Sequence, residues 1–351
     1  MDISRVIITG EETIVQAMQR MDGFGGRVLC ITEGKKLKAV VSEGDIRRWI
    51  LAGGELSEKV SKIACYSPTV LKEDDKALAM EIMRKRKFKG IPVVDEVGNL
   101  VKCYFWDEDS AKERSEDLKN VPVVMMAGGM GTRLYPYTRI LPKPLIPVGD
   151  KPIAEIIMDK FYNSGCENCY MVVNHKKNMI KAYFNEIEKP YNIAYVDEDE
   201  PLGTGGGLKL LEQDIKDTFI LTNCDILIDN DFSNIYRHHK EKGNAITMVC
   251  SLRNFQISYG VVEFGEDGLI TNMKEKPEYS FFTNTGSYIV EPEVMQYIKE
   301  NENVGFPDII ERMKADGKRV GVYPISENSW MDMDQLEELS KMEQRLDSKN
   351  R

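Results

Sequence analysis

The sequence has 351 residues, 42% of them hydrophobic, and a formal net charge of −10. That length and apolar content suit two or more globular domains and exclude a disordered chain. The acidic balance, with lysines and arginines spread along the chain, excludes broad nucleic-acid binding, and no apolar run reaches the roughly 20 residues a membrane helix needs. The polar start Met1-Asp2-Ile3-Ser4-Arg5 lacks a signal peptide's apolar region, so a cytoplasmic location is expected. The seven cysteines, odd in number and irregularly spaced, argue for reduced thiols rather than a disulfide framework.

The first stretch, to about residue 109, contains an imperfect repeat. Ala17-Met18-Gln19-Arg20-Met21 is echoed by Ala79-Met80-Glu81-Ile82-Met83, and each is followed by an apolar run, Arg27–Ile31 in one copy and Gly90–Val94 in the other. After a turn, Lys36–Val41 is matched by Asn99–Tyr104, so each copy predicts helix, strand, turn, strand, helix. These residues resemble a tandem of CBS repeats, small α+β regulatory modules, and the resemblance assigns residues 1–118 to that domain. In that family a Ser or Thr three residues before an Asp holds an adenine nucleotide's ribose. Ser42 and Asp45 match the pattern in the first copy, while Phe105-Trp106-Asp107-Glu108 departs from it in the second. One regulatory nucleotide site, or a tandem kept only for packing or oligomer contacts, is expected.

From Asp107 to Asn120 the chain is almost wholly charged, which predicts a linker or an exposed helix. A second domain, 119–351, alternates the two kinds of signal. Strands are predicted at Val121–Val124, Tyr170–Val173, Ile193–Val196, Thr218–Leu221, Ala245–Cys250 and Gly321–Pro324, with amphipathic helices at Ile153–Asn163, Lys177–Ile187 and Phe232–Lys242. Strands apolar on both faces, alternating with helices, imply a mostly parallel α/β sheet with ligands at the carboxyl ends of its strands. Cys166 and Cys169 form a C-x-x-C without a second pair. It reads as half a zinc site, a redox pair or, as we favour, small residues at a helix-to-strand junction.

Val123-Val124-Met125-Met126 runs directly into Ala127-Gly128-Gly129-Met130-Gly131-Thr132-Arg133-Leu134. Glycines there let backbone N–H groups approach phosphate oxygens, and Arg133 adds a forked, permanent charge. The loop is not a Walker A loop, having no Gly-Lys-Ser/Thr, and it lacks the third glycine of the dinucleotide fingerprint. Ten residues beyond Arg133 stands Lys143, framed by Pro142 and Pro144, which stiffen the backbone around an ammonium aimed at a fixed point.

Together these segments resemble the signature of the nucleoside-diphosphate-sugar pyrophosphorylases, G-G-x-G-T-R-L followed by P-K-P, a Rossmann-like, GT-A-like nucleotidyltransferase fold. The resemblance runs through residues 121–340. It implies that Ala127, Gly128, Gly129, Gly131, Thr132, Gly203, Thr204 and Gly205 bind the nucleotide, and that Asp225 and Asp332 hold a Mg²⁺ ion. It also implies that Tyr259, Gly260, Glu275, Lys276 and Asn284 bind the sugar phosphate. The family's Trp-x-Asp-x-Gly reads here Trp330-Met331-Asp332-Met333-Asp334, with an aspartate in place of the glycine.

The implied reaction is attack of a sugar 1-phosphate on the α-phosphorus of a nucleoside triphosphate, with Arg133 holding the departing pyrophosphate and Lys143 stabilising α-phosphoryl charge. Joining a CBS pair to this domain resembles the glucosamine-1-phosphate guanylyltransferases of bacterial legionaminic acid synthesis, and so favours GTP. Mannose- or heptose-1-phosphate guanylyltransferases, and hexose-1-phosphate uridylyl- or cytidylyltransferases, are the alternatives within the class. An inactive nucleotide sensor is the alternative outside it. No hexapeptide repeat follows, which excludes a fused acyltransferase, and a homo-oligomer is expected.

Overall fold

The computed structural model describes residues 3–72, 74–106, 114–333 and Met342. Asp334 and residues 107–113, the first half of the charged run, lie outside the described residues. The chain divides into two compact units that interleave along the sequence. One takes Met1–Ser110, Ser251–Thr283 and Pro324–Asn328; the other takes Ala111–Cys250, Asn284–Tyr323 and Ser329–Arg351. The sequence boundary at 118/119 is linear, whereas this division returns two later segments to the N-terminal unit.

The N-terminal unit opens with β1 (Ile7–Ile8), α1 (Ile14–Phe24), β2 (Val28–Glu33), β3 (Lys36–Ser42) and α2 (Glu43–Leu51). β1 lies parallel to β2, and β2 antiparallel to β3. The same order returns in α3 (Lys76–Arg86), β4 (Gly90–Val94) and β5 (Leu100–Phe105), with Leu71 bridged in parallel to Val93 as Ile8 is to Ile31. Thr13 and Ser42 start α1 and α2 with reciprocal capping boxes, and Gly25 ends α1 in the left-handed conformation. Backbone bonds from Leu37 to Gly98 (3.1 Å) and from Leu100 to Lys35 (2.8 Å) join the turns of the two copies. Leu252 enters the apolar core of the first copy with Ile14, Leu29 and Val41, which ties the later segment 251–283 into this unit.

In the other unit the elements are β6 (Val123–Met126), β7 (Pro147–Val148), β8 (Lys151–Pro152), α4 (Ile153–Ser164), β9 (Asn168–Val173), α5 (Lys177–Glu186), β10 (Asn192–Asp197), α6 (Gly203–Gly206), β11 (Phe219–Asn223), β12 (Ile226–Ile228) and α7 (Phe232–Lys242). The chain continues through β13 (Ile246–Gln256), β14 (Val261–Phe264), β15 (Ile270–Lys274), β16 (Glu278–Val290), α8 (Phe306–Ala315), β17 (Val320–Ile325) and β18 (Trp330–Asp332). Among the described residues, one seven-stranded sheet runs β10-β9-β6-β11-β16-β13-β17. β10, β9, β6 and β11 are parallel, and β16 enters antiparallel to β11. Every residue of β6 is buried, as a strand covered on both faces requires.

Each strand and helix predicted within the described residues exists within a few residues of its expected place, whereas the closing helix expected for the second copy, after Tyr104, falls on residues 107–113, outside the described residues. The long strand β16 was not expected, because Asn284-Thr285-Gly286 reads as a turn. Gly286 does take φ +81°, but the strand runs on through it from Glu278 to Val290, with Ser287–Val290 paired to β11. The described part of the charged run, 114–120, also differs from its reading as a linker or exposed helix. Leu118 is fully buried, Ser115 N donates to Ser164 O at 3.1 Å, and Arg114 bonds Tyr162 O at 3.0 Å, so residues 114–120 dock on the end of α4. Cys166 and Cys169 are buried at the α4–β9 junction, and burial pushes the Cys166 thiol up to about 12. Among the described residues no helix is long and apolar enough to cross a membrane.

Candidate active site

The carboxyl ends of four parallel strands stand level. Met126 pairs with both Val172 and Asn223, and Val173 pairs with Asp197. Three of the segments that leave these ends, 127–132, 198–207 and 224–225, therefore meet around a cavity of about 520 Å³, a size suited to a small ligand. Gly128, Gly129, Arg133, Lys143, Gly203, Thr204, Asp225, Asn284 and Asp332, all candidates from the sequence, line it together with Glu198, Asn223 and Trp330, which were not among those candidates. Ala127, Gly131, Thr132 and Gly205 belong to the same segments without lining the cavity. Tyr259, Gly260, Glu275 and Lys276 fall in the N-terminal unit, as do Ser42 and Asp45.

The glycine loop and the proline-framed lysine pack directly on each other. Gly131 takes φ +63°, and a Cβ placed there would stand 3.0 Å from Lys143 Cβ and 2.9 Å from Thr138 Cγ2. A side chain would thus be strained twice over. Lys143 opens a short 3₁₀ turn between buried prolines, and its ammonium pairs with the Asp225 carboxylate. Burial works against the charge on Lys143. The charges of Asp225 and Cys224, the hydrogen bond to Asp225 and the charge of Asp332 outweigh it, so the ammonium is held above the ordinary lysine range.

Asp225 and Asp332 arrive from separate ends of the unit and are brought together by β12 and β18, which pair antiparallel with Ile226 opposite Asp332. Met333 N donates to Asp225 O at 3.0 Å, locking that register. No group of three or more His, Cys, Asp or Glu fit for a metal occurs among the described residues. Two carboxylates completed by substrate phosphate oxygens are nevertheless the donor set Mg²⁺ takes, and the hard oxygens here fit it.

Glu198 is the residue sequence reasoning passed over. It sits in the acidic run Asp197-Glu198-Asp199-Glu200, which looks like a solvated surface, yet it is buried. Its carboxylate lies between two glycines: a Cβ on Gly128 would stand 2.6 Å from Oε2, and one on Gly207 2.5 Å from Oε1. Asn174 Nδ2 donates to its carbonyl at 2.9 Å, and its own N–H to Val173 O at 2.9 Å, fixing the backbone. Oε1 is shielded from solvent without a hydrogen-bond partner among the described residues. Burial pushes the carboxyl up to about 7, offset in part by a hydrogen bond from the Leu202 backbone. The available signal was position, four residues ahead of Leu202-Gly203-Thr204 at a strand end.

Lys176 was also missed. It takes φ +53°, and its ammonium donates to the carbonyls of Thr138 (2.9 Å), Arg139 (2.8 Å) and Ile140 (2.9 Å). Those carbonyls close the turn between Arg133 and Lys143. His175 N reaches Gly128 O at 3.4 Å, so residues 174–176 touch the glycine loop, the Glu198 backbone and this turn at once. Thr204 also ties the cavity to α8: its hydroxyl accepts from the N–H of Phe306, the first residue of that helix, at 3.1 Å. Asn284 bonds along its own strand, accepting from Gly286 N (3.0 Å) and donating to the Tyr288 hydroxyl (2.6 Å). In the N-terminal unit, Ser42 and Asp45 bond one another (Oγ to Oδ2, 2.6 Å), and Arg48 also holds Asp45.

The chain is similar to several proteins of known kind. It is 35% identical over 198 residues to a UTP–glucose-1-phosphate uridylyltransferase of Synechocystis sp., covering 51% of each chain. It is 31% identical over 225 residues to a mannose-1-phosphate guanyltransferase of Saccharomyces cerevisiae, covering 60% of this chain and 61% of that one. To the bifunctional protein GlmU of Methanococcus maripaludis it is 33% identical over 208 residues, covering 57% and 48%. It thus spans about half to three-fifths of the length of the curated relatives it matches. Its fold is like that of HddC from Yersinia pseudotuberculosis (TM-score 0.52, 20% identity, 64% of this chain and 99% of that one). The nucleotidyl transferase family model matches residues 122–349, and with the loop, lysine and aspartates in place around one cavity, the chain belongs to that family.

Proposed function

We propose that this chain transfers a guanylyl group from GTP to the phosphate of a sugar 1-phosphate, releasing pyrophosphate, with glucosamine 1-phosphate the favoured sugar. The buried Glu198 carboxylate carries the choice of base. An ionised carboxylate only accepts hydrogen bonds, and guanine alone among the common bases presents two adjacent donors, N1–H and N2–H, on its pairing edge. Uracil and thymine offer one donor between two carbonyls, which a carboxylate repels; a glutamine amide would suit them. The likeness to a mannose-1-phosphate guanyltransferase supports this reading, and that to a glucose-1-phosphate uridylyltransferase marks the alternative. The sugar rests on the resemblance of the joined N-terminal repeats and this domain to glucosamine-1-phosphate guanylyltransferases, as does a place in legionaminic acid synthesis.

The nucleophile is the phosphate of the sugar 1-phosphate, ionised at neutral pH, so no general base is needed. One of its oxygens bonds to the α-phosphorus while the bond to the bridging oxygen of pyrophosphate breaks. The work left to the protein is placement and charge neutralisation. The 128–131 backbone receives the phosphates, Arg133 neutralises the leaving pyrophosphate, and Lys143 exchanges its pair with Asp225 for the α-phosphoryl oxygens. Asp225 and Asp332 would hold Mg²⁺, which supplies Lewis-acid charge stabilisation when bound. Tyr259, Gly260, Glu275 and Lys276 are assigned to the sugar phosphate by resemblance. Lys276 takes φ +45° ahead of Pro277, an unusual backbone state for a lysine and one common at ligand sites.

We also assign Ser42 and Asp45, within a CBS pair, to an adenine nucleotide, whose ribose would replace their mutual hydrogen bond. Calorimetry of the whole chain with AMP, ADP and ATP tests this, and no heat with any of them removes it. For the main reading, the decisive assay measures pyrophosphate release from four triphosphates against several sugar 1-phosphates. GTP-selective turnover is expected. UTP-selective turnover would refute the role given to Glu198, and turnover with none would leave an inactive sensor.

A further inference from the structure

Helices α1 and α3 occupy the same place in the two copies of the repeat, and Ala17, Gln19 and Asp22 of the first correspond to Ala79, Glu81 and Arg84 of the second. Both alanines are fully buried, whereas the other two positions have diverged in charge and hydrogen-bonding sense. Gln19 and Asp22, three residues apart on a helix, share one face, and both reach chain that arrives from far along the sequence. Gln19 Nε2 donates to Glu278 Oε1. The Asp22 carboxylate accepts from the Asn328 N–H and the Ser326 hydroxyl, and the Asp22 carbonyl accepts from Asn328 Nδ2. Beside them Arg253 pairs with Glu327 at 3.3 Å, and Leu252 is buried in the same core as Ala17 and Met21. Glu81 and Arg84 could not make the equivalent bonds, since a carboxylate does not donate and a guanidinium does not accept. All the residues that α1 holds belong, like α1 itself, to the N-terminal unit.

Glu278 stands two residues past Lys276, which takes φ +45° ahead of Pro277, where extended backbone is preferred. Such a conformation persists where its surroundings over-determine it. Ile257 N donates to Pro277 O at 3.0 Å, and the Glu275 carboxylate lies against Gly260, with Oε2 2.9 Å from where a Cβ would stand. Both contacts tie the turn to residues 257–260 of its own segment. The bond from Gln19 ties it to a helix of the repeat. From this arrangement we infer that Gln19 is a positioning residue for the sugar-phosphate site: through Glu278 it holds the Glu275-Lys276-Pro277 turn in the conformation that meets the sugar phosphate. The inference rests on the assignment of Lys276 to that phosphate. It makes the first copy of the repeat part of the acceptor site, independently of any nucleotide at Ser42 and Asp45.

Steady-state kinetics of the whole chain, with the triphosphate and sugar 1-phosphate it turns over fastest, test this. Gln19→Met keeps the side chain's length but removes its donor. It should raise KM for the sugar 1-phosphate about fivefold and leave kcat and the KM for the triphosphate within about twofold of wild type. Gln19→Glu sets two carboxylates against each other and should raise that KM further; combined with Glu278→Gln it exchanges donor and acceptor, and KM should return to within about twofold of wild type. Lys276→Met separates this inference from the reading beneath it. An unchanged KM for the sugar 1-phosphate in that variant removes Lys276 from the site and the role of Gln19 with it. A rise of about twentyfold or more there, with Gln19→Met like wild type, overturns the role of Gln19 alone. Equal rises in both KM values, or no recovery in the exchanged pair, would show the bond to be structural only and overturn it as well. Should Gln19→Met misfold, Glu278→Ala cuts the same bond from the other side and decides by the same split. A chain that turns over no pair has no acceptor site, and the inference falls with the activity.

Discussion

Replacing Glu198 by glutamine is the sharpest probe of base choice. The change keeps the shape between Gly128 and Gly207 but turns one acceptor into a donor. Against guanine it removes one charge-assisted hydrogen bond, worth about 1.5–3 kcal/mol, and sets a buried N–H₂ against a ring N–H. A loss of about 3 kcal/mol lowers kcat/KM for GTP by roughly a hundredfold or more. The same amide can pair with the donor and one acceptor of uracil, so UTP should gain at least tenfold and the preference should swing about a thousandfold. The pH dependence is a separate readout. Burial pushes Glu198 up to about 7 in the free protein, while guanine needs the ionised form. Affinity for GTP in the wild type should therefore fall about tenfold from pH 8 to pH 6, beyond any change seen in Glu198→Gln. Stability runs the opposite way. An acid whose folded pKa exceeds its unfolded value of 4.5 stays protonated in the fold, so its cost is absent below 4.5, grows as pH rises and is complete above about 7. Without ligand, Glu198→Gln should be more stable than wild type at pH 8 by roughly 2–3 kcal/mol and little changed at pH 4. Steady-state kinetics with GTP and UTP, isothermal calorimetry across pH and urea titrations measure each part. An unchanged GTP-to-UTP ratio would refute the reasoning even if overall activity fell.

Three further outcomes follow from the site. Lys143→Ala should lower kcat by about a hundredfold or more with a smaller change in KM, because its charge acts on the transition state; single-turnover kinetics with wild-type rates would contradict that. Asp225→Asn should abolish the Mg²⁺ dependence of turnover, and a Mg²⁺ titration curve like that of the wild type would remove the aspartate from the metal set. Lys176→Met frees three turn carbonyls between Arg133 and Lys143. It should reduce kcat about tenfold through misplaced charge, with partial recovery in Lys176→Arg, and equal kcat in all three proteins would show the clamp to be structural only.

Much of this was legible in the chain. The glycine loop, Lys143 and Asp225 stand in contiguous motifs next to strands, and such motifs read well because local backbone chemistry dictates them: prolines around a fixed lysine, glycines where phosphate must approach. Strand β6, apolar throughout, and helix α7, amphipathic and capped by Asp231, were equally plain. β16 was hidden because a glycine at positive φ imitates a turn, and its place in the sheet between β11 and β13 overrides that signal. Residues 114–120 looked solvated because one buried leucine cannot announce itself among charges.

The amino-acid sequence by itself determined the family and the alternating α/β pattern, and it singled out the glycine loop and Lys143, since each of these rests on neighbours within a dozen residues. Tertiary structure alone decided that a glutamate from an acidic run is buried beside the cavity, that the pairing of β12 with β18 is what joins Asp225 to Asp332, and that residues 251–283 join the N-terminal unit. Desolvation and charge proximity are set by residues distant along the chain, so no local pattern records them.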